Sequence, residues 1–543
     1  MKQPALPQPA LPELPRPTPG EGLSRRTILR GTLIGGVALG LGGTLTSCAS
    51  KAKTPLAARA GGGTLKKGGT LRIGVAGGGA KDTLDAHQGG FAPDTARAMQ
   101  LYDRLMTFTP SFVLTTDLAE SFEPNATADE WTLKLRKGVT FHDGKPLTAD
   151  DVIFTVKRIV DPADPKVGAA GISYLDLARM QKVDDLTVRM PLKVRNVGFS
   201  EQFAQYFMGI VPVGYDPAKP VGTGPFKYKS FTAGQQSVFT RNENYWRSGE
   251  PYVDEVVIID FPDDTARVNA LLGGQVDAIA NLPTNQVAAV KANAGLQLLD
   301  SPTGAWLALA MRVDVPPFDD VRVRQAMRLL VDRPQVVAQG LGGQATVGND
   351  LYGRYDVAYA KDLAQRHQDI AQAKSLLKQA GRSDLQAELV TAPSFQGMVE
   401  GSTVFAQNAT DAGINVKVKK VDGATLYGNQ WLSWPFAADY WVTRSYLSQA
   451  ALSSLPSSKW NETHWSDPEY VKLVTQALGQ PDEAKRAELL VAAQALEYDK
   501  GGYIIPSFTN QVDACSAKVG GFVQSKTGNA LNNFTLRSVG FLA

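Results

Sequence analysis

Residues 131–155 read Trp131-Thr-Leu-Lys-Leu-Arg136, Lys137-Gly-Val-Thr-Phe141, His142-Asp-Gly144, Lys145-Pro-Leu147, Thr148-Ala-Asp-Asp151 and Val152-Ile-Phe-Thr155. From Glu130 to Arg136 large apolar and charged residues alternate, the period of a half-buried strand. Asp143-Gly144 stands between two extended segments and supplies the positive φ that a tight turn requires. Thr148, with an acid three residues later, opens a helix as a capping box. Strand, turn and helix thus follow one another within one short stretch.

The same alternation extends outward. Gly69 to Val75 is a short strand ending in glycines, and Val253 to Ile259 is another. A helix over Thr265 to Leu272 stops at Gly273-Gly274, and Gln275 to Ile279 forms the next strand. A new αβ pattern begins at Trp306, with helices predicted around Arg322 to Val337, Ile370 to Ala380 and Asp482 to Tyr498. The apolar strand Tyr503 to Phe508 returns late in the chain. Strands alternating with helices argue for an α/β architecture.

Before Gly69 the chain has another character. The first 24 residues are rich in Pro and lack apolar periodicity. Ser24-Arg25-Arg26-Thr-Ile-Leu-Arg30 carries a twin-arginine pair, and Gly31 to Gly43 is apolar, glycine-rich and uncharged. A charged region, a short apolar region and small residues before a cut make an export signal; the apolar part is too short and glycine-rich for a bilayer span. Arg25 and Arg26 resemble the twin-arginine export address. Leu45-Thr46-Ser47-Cys48 resembles the bacterial lipobox, which implies that Cys48 takes a lipid and anchors the mature protein to the membrane. Residues 1–47 are therefore read as a signal peptide and 48–68 as a flexible tether.

Composition bounds what remains. After position 47 the chain retains 496 of its 543 residues, beyond the size at which one core keeps growing, so at least two lobes are expected. It is 43% hydrophobic and 20% charged, as in an ordinary globular protein. A formal net charge of +3 implies no nucleic-acid partner. The two cysteines are Cys48 and Cys515; with the first lipidated, no internal disulfide can form. The four histidines, His87, His142, His367 and His464, are widely separated and form no zinc motif, so neither metal nor cofactor is expected. His142 and Asp143 are read as turn residues.

Three motifs imitate enzymes. Ser375-Leu-Leu-Lys378 and Lys526-Thr-Gly528 match two elements of penicillin-binding enzymes, but no middle element lies between them and Ser375 sits in a helical apolar pattern. Gly74 to Gly79 lacks dinucleotide-binding spacing, and no nucleophile elbow or phosphate loop occurs. No catalytic residue is assigned, and the chain is read as a non-enzyme.

Leu101-Tyr-Asp-Arg-Leu105, the block 131–155, Gly222-Thr-Gly-Pro225 and Asn244-Tyr-Trp246 occur in this order. Together they resemble the family 5 extracellular solute-binding proteins, the oligopeptide and dipeptide receptors of ABC importers, from about Gly69 onward. The resemblance implies a type II periplasmic-binding-protein fold. Two lobes are joined by two crossing strands, near Ser301 to Trp306 and Tyr503 to Phe508, with the ligand between them. Lobe one is placed at 69–303 with a subdomain inserted at about 98–213, lobe two at 304–505, and the return to lobe one at 506–543. It also implies a monomer whose partners are a small peptide and membrane permease subunits outside the cytoplasm. Other members take metal chelates, haem, opines or oligosaccharides, and those ligands stay open, as does sensing without import; an exported hydrolase is the remaining rival.

Five of the eight tryptophans lie between Trp431 and Trp465. Within this segment Trp434-Pro-Phe-Ala-Ala-Asp-Tyr-Trp441 resembles the step that supplies, in peptide-binding members, the Asp pairing the peptide's α-amino group. Position by position that residue is Asp439, with a helix cap or internal salt bridge as its structural alternatives. A buried ammonium must be paired, and aromatic walls suit varied side chains. Tyr440, Trp441 and Trp434 are candidates for those walls, or for core. Many relatives continue with Asn, Asp and Pro, whereas here Tyr440-Trp-Val-Thr-Arg-Ser-Tyr446 follows, which points toward a modified or aromatic ligand. Arg444 is a candidate for a ligand carboxylate, or for an ion pair within the protein.

Overall fold

Alternation along Glu130–Leu135 buries Trp131, Leu133 and Leu135 and exposes Thr132 and Lys134. In the computed structural model, which describes residues 63–90 and 92–543, this strand sits in a four-stranded sheet ordered Ala119–Pro124, Glu130–Leu135, Thr187–Pro191, Gln181–Asp184. The tight turn follows, with Gly144 at φ 87°. Helix Ala149–Ile159 then begins at Thr148, whose backbone N–H donates to Asp151 Oδ2 at 2.8 Å. Its apolar face joins the sheet in a core running from Leu105 to Ile210.

The larger sheet organises the rest. Its centre is the 16-residue strand Leu296–Met311. The first half pairs antiparallel with Ser507–Ser516, from Leu296 opposite Ser516 to Pro302 opposite Asn510. The second half pairs with Phe436–Trp441, from Trp306 opposite Trp441 to Met311 opposite Phe436. Between Pro302 and Trp306 the register shifts. Pro302 cannot donate to the ladder, and Thr303 Oγ1 instead donates to Thr509 O at 2.7 Å.

The two long strands thereby cross between two lobes. On one side lie strands Thr70–Ala76, Glu255–Phe261, Gln236–Arg241 and Phe226–Thr232, over a core that includes Leu71, Ile73, Ile258, Phe522 and Phe534. On the other lie Gln386–Thr391 and Asn415–Lys420, over a core that includes Leu309, Met327, Phe405 and Phe436. This is the two-lobed α/β arrangement implied by the sequence resemblance.

Glycine fixes one junction of the first lobe. A Cβ at Gly222 would lie 2.1 Å from Leu101 O, and one at Gly224 2.4 Å from Gln100 O. The Gly-Thr-Gly-Pro run thus lets two backbones touch at the end of helix Ala92–Leu101.

Two expected elements differ. The helix predicted over Arg322 to Val337 is broken: helix Val321–Leu329 ends, and a new turn starts at Arg333 with Asp332 capping the Gln335 N–H at 3.0 Å. Pro334 disfavours helical geometry at the residue before it and tolerates only a first turn. Of the strand predicted over Gln275 to Ile279, only Ala278–Ile279 joins the sheet. The Gln275 N–H is instead taken by Ala270 O, closing the preceding helix.

Arg25, Arg26, Cys48, the signal peptide and the tether up to residue 62 lie outside the described residues. Among the described residues no helix is long and apolar enough to cross a membrane. Cys515 is buried in the sheet, beside Ala278 and Gln297.

Candidate ligand-binding site

Strand Phe436–Trp441 forms because Ala, Tyr, Trp and Phe pack on both faces of a sheet interior. Phe436 meets Phe318 and Phe405 in the core of lobe two, and Tyr440 stacks on Phe395 with ring centroids 4.3 Å apart. Trp441 points elsewhere: it stacks on Trp306 and meets Trp460.

Asp439, between them, is 5% exposed. Its Oδ1 accepts from the Tyr427 hydroxyl and the Tyr440 N–H, each at 2.7 Å. A second carboxyl, Glu462, is 6% exposed and shares a hydrogen bond with Asp439. Glu462 Oε1 also accepts from Trp441 Nε1 at 3.0 Å. Burial pushes both carboxyls up, and the charge of Asp439 pushes Glu462 up further. Among the described residues no Lys, Arg or His forms an ion pair with either.

The end of the strand opens a cavity of about 310 Å³. Asp439, Tyr440, Trp441 and Arg444 line it, together with Tyr427, Trp431 and Trp460. The Arg444 guanidinium lies 5.6 Å from the centre of the Trp441 ring and donates to Gln449 Oε1 at 3.4 Å. Burial pushes it down to about 10 against the opposing charge of Glu201. No carboxylate among the described residues forms an ion pair with it.

Four of the five residues singled out in the sequence therefore meet in one cavity. Trp434 does not reach it: its indole donates to Leu426 O at 3.1 Å, and its ring packs beneath Lys419 and on the lobe-two core. Trp431 and Trp460 belong to the tryptophan-rich segment read from the sequence as pocket wall or core, whereas Tyr427 and Glu462 were not singled out. Aromatic density marked the segment that holds the two tryptophans, whereas nothing local to Asn461-Glu462-Thr463 reveals that Glu462 turns toward Asp439.

The remaining motifs have structural partners. His142 Nε2 is 3.0 Å from Gly224 O and its Nδ1 accepts from the Gly222 N–H at 3.3 Å, so it fastens the Gly-Thr-Gly-Pro run. His87 Nε2 is 2.8 Å from Gly209 O. Ser375 lies on an exposed helix face, where its hydroxyl accepts from Gln379. Lys526 covers the Tyr355 ring and its carbonyl accepts from Thr443. Among the described residues no group of three metal-ligating side chains converges.

Residues 113–463 match the family model of the bacterial extracellular solute-binding proteins, family 5. The chain belongs to this family. The family is a solute-binding, non-catalytic transport family, and the protein is the solute-binding component of an ABC-type import system. Among curated relatives, heme-binding protein A of Haemophilus influenzae is 27% identical over 80% of this chain and 86% of its own length. Peptide transport periplasmic protein SapA of Salmonella typhimurium is 26% identical over 81% and 87%. The glutathione-binding protein GsiB of Escherichia coli is 25% identical over 84% and 92%. Of solved folds, the substrate-binding protein CtaP of Listeria monocytogenes superposes with a TM-score of 0.77 at 21% identity, covering 88% of this chain and all of that one.

Proposed function

We propose that this family 5 receptor captures a short peptide outside the cytoplasm and delivers it to membrane permease subunits. Asp439 takes the α-ammonium, Arg444 the carboxylate, and Tyr440 and Trp441, with Trp431 and Trp460, wall the side chains. The observation that carries this reading is the pair of opposite, unpaired charges in one aromatic cavity. An uncompensated buried charge costs several kcal/mol, and a zwitterionic ligand compensates both at once. The cavity is at the small end of ligand pockets, which favours a peptide of a few residues. Its relatives include a peptide transport periplasmic protein and a glutathione-binding protein, and peptides and glutathione carry both an ammonium and a carboxylate.

Binding proceeds by closure: the ligand rests on lobe two, gains contacts from lobe one and shifts the population to the closed form. The domain limits are assigned as 69–303 with an insertion at about 98–213, 304–505 and 506–543. Export through the Arg25-Arg26 address and a lipid on Cys48 keep the receptor, a monomer, at the membrane.

The test is thermal stabilisation by trialanine, N-acetyl-trialanine, reduced glutathione and haemin. Trialanine raises the melting temperature, N-acetyl-trialanine does not, and Asp439→Asn abolishes the trialanine effect. Equal stabilisation by the acetylated peptide, or by haemin alone, overturns the peptide assignment.

A further inference from the structure

Two buried carboxyls that face each other without a cation cannot both be ionised at ordinary pH, so one holds a proton. The surroundings decide which. Asp439 Oδ1 already accepts two short bonds, from Tyr427 and the Tyr440 N–H, and these stabilise a carboxylate. Glu462 accepts from Trp441 Nε1 at 3.0 Å and from the Tyr503 hydroxyl, while Trp431 gives Asp439 a third donor. Burial and its charged neighbour raise Glu462 well above an ordinary glutamate. The other groups around the pair are acidic or neutral: the hydroxyls of Tyr427 and Tyr503 and the indole of Trp431. Among the described residues, none of the nearby cations forms an ion pair with either carboxyl. Arg444 lies over Trp441 and Lys459 over Trp460, while His464 contacts Asp314 and Leu432 O.

We infer that Glu462 is a proton-carrying positioning residue: its carboxylic acid donates to Asp439 in the empty receptor, and a seated ammonium expels that proton to solvent. The balance is simple. Glu462-COOH, Asp439-COO⁻ and R-NH₃⁺ become two carboxylates holding one ammonium plus a released H⁺. A cation against the pair favours the ionised form of Glu462 and lowers its titration midpoint. Binding therefore releases protons, and affinity rises with pH between the bound and free midpoints. Glu462 adds proton linkage to the proposed ammonium site and rests on that reading.

Trp441 Nε1–H reports the state of Glu462 directly, since it donates to it. In ¹⁵N-tryptophan-labelled protein, with the resonance assigned through Trp441→Phe, this indole signal is expected to titrate above the ordinary glutamate value of about 4.3. The transition vanishes in Glu462→Gln. Saturating trialanine moves the midpoint down by about one pH unit or more. Trialanine affinity climbs by up to about tenfold per pH unit across that window in the native protein, and stays flat in Glu462→Gln, which keeps a donor toward Asp439 and still binds. A midpoint near the ordinary value overturns the inference. So does trialanine binding with an unmoved midpoint, which leaves the ammonium reading intact. Failure of trialanine to bind at all removes the ammonium reading, and the linkage with it.

Discussion

The Ser445 hydroxyl donates a 2.7 Å hydrogen bond to Glu201 Oε2, joining the core that runs from Leu105 to Ile210 to the cap of helix Tyr446–Ser453 in lobe two. A second bond, from Val197 N–H to Leu478 O at 2.9 Å, joins the same core region to helix Pro468–Leu478. Burial raises the Glu201 carboxyl, and its bond from Ser445 opposes that rise. The residue before Ser445 is Arg444, so this contact ends at the cavity wall.

Glu201→Ala removes an acceptor that exists only while these two regions touch. One such bond contributes about 1 kcal/mol, so trialanine affinity falls roughly fivefold and small-angle scattering shows a more open empty protein. Glu201→Gln retains an acceptor and is milder. Unchanged affinity and scattering in Glu201→Ala would show that the contact does not stabilise closure.

Asp350 organises the second lobe. It is fully buried, takes charge-assisted bonds from Arg333, at 2.6 Å, and Arg366, and accepts from the Ile505 N–H at 2.9 Å. Burial pushes its carboxyl up, but the two guanidiniums outweigh this and hold it below the ordinary value. Asp350→Asn strands Arg333, 1% exposed, without its counter-charge. A loss of about 3–5 kcal/mol is expected in urea unfolding. Because the folded value is depressed, this stabilisation is present above about pH 4 and is lost as pH falls through the folded value.

Glu497 has the opposite sign. Burial pushes it up to about 7, against bonds from Tyr446, 2.7 Å away, and Tyr352. The folded protein then holds a proton that the unfolded chain releases near pH 4.3. Between those values stability falls as pH rises, by on the order of 3 kcal/mol from this group. Asp103 and Asp513, each raised to about 6 by burial, act in the same direction. Denaturant midpoints at pH 4.5 and 7.5 should therefore differ less in Glu497→Gln than in the native protein. Equal differences would place the Glu497 titration elsewhere.

Much of this was legible locally. The block 131–155 declares its strand, turn and helix through alternation, Asp143-Gly144 and Thr148, each a short-range signal. Pro334 was equally visible, but apolar spacing over Arg322 to Val337 masked the break it causes. In the site, Asp439, Tyr440, Trp441 and Arg444 lie within six positions of one another, so one segment revealed them. Glu462 and Tyr427 reach Asp439 from separate loops, and only folding brings them together. Trp434 shares the segment but not the cavity, because Leu426 O takes its indole N–H.

Peptide capture through Asp439 is read out by native mass spectrometry of protein from Ala49 onward, purified without added solute, with released small molecules identified after denaturation. Short peptides with free amino termini are expected, absent from Asp439→Asn. A single non-peptide mass, retained in Asp439→Asn, would contradict both the peptide assignment and the role of the carboxyl pair.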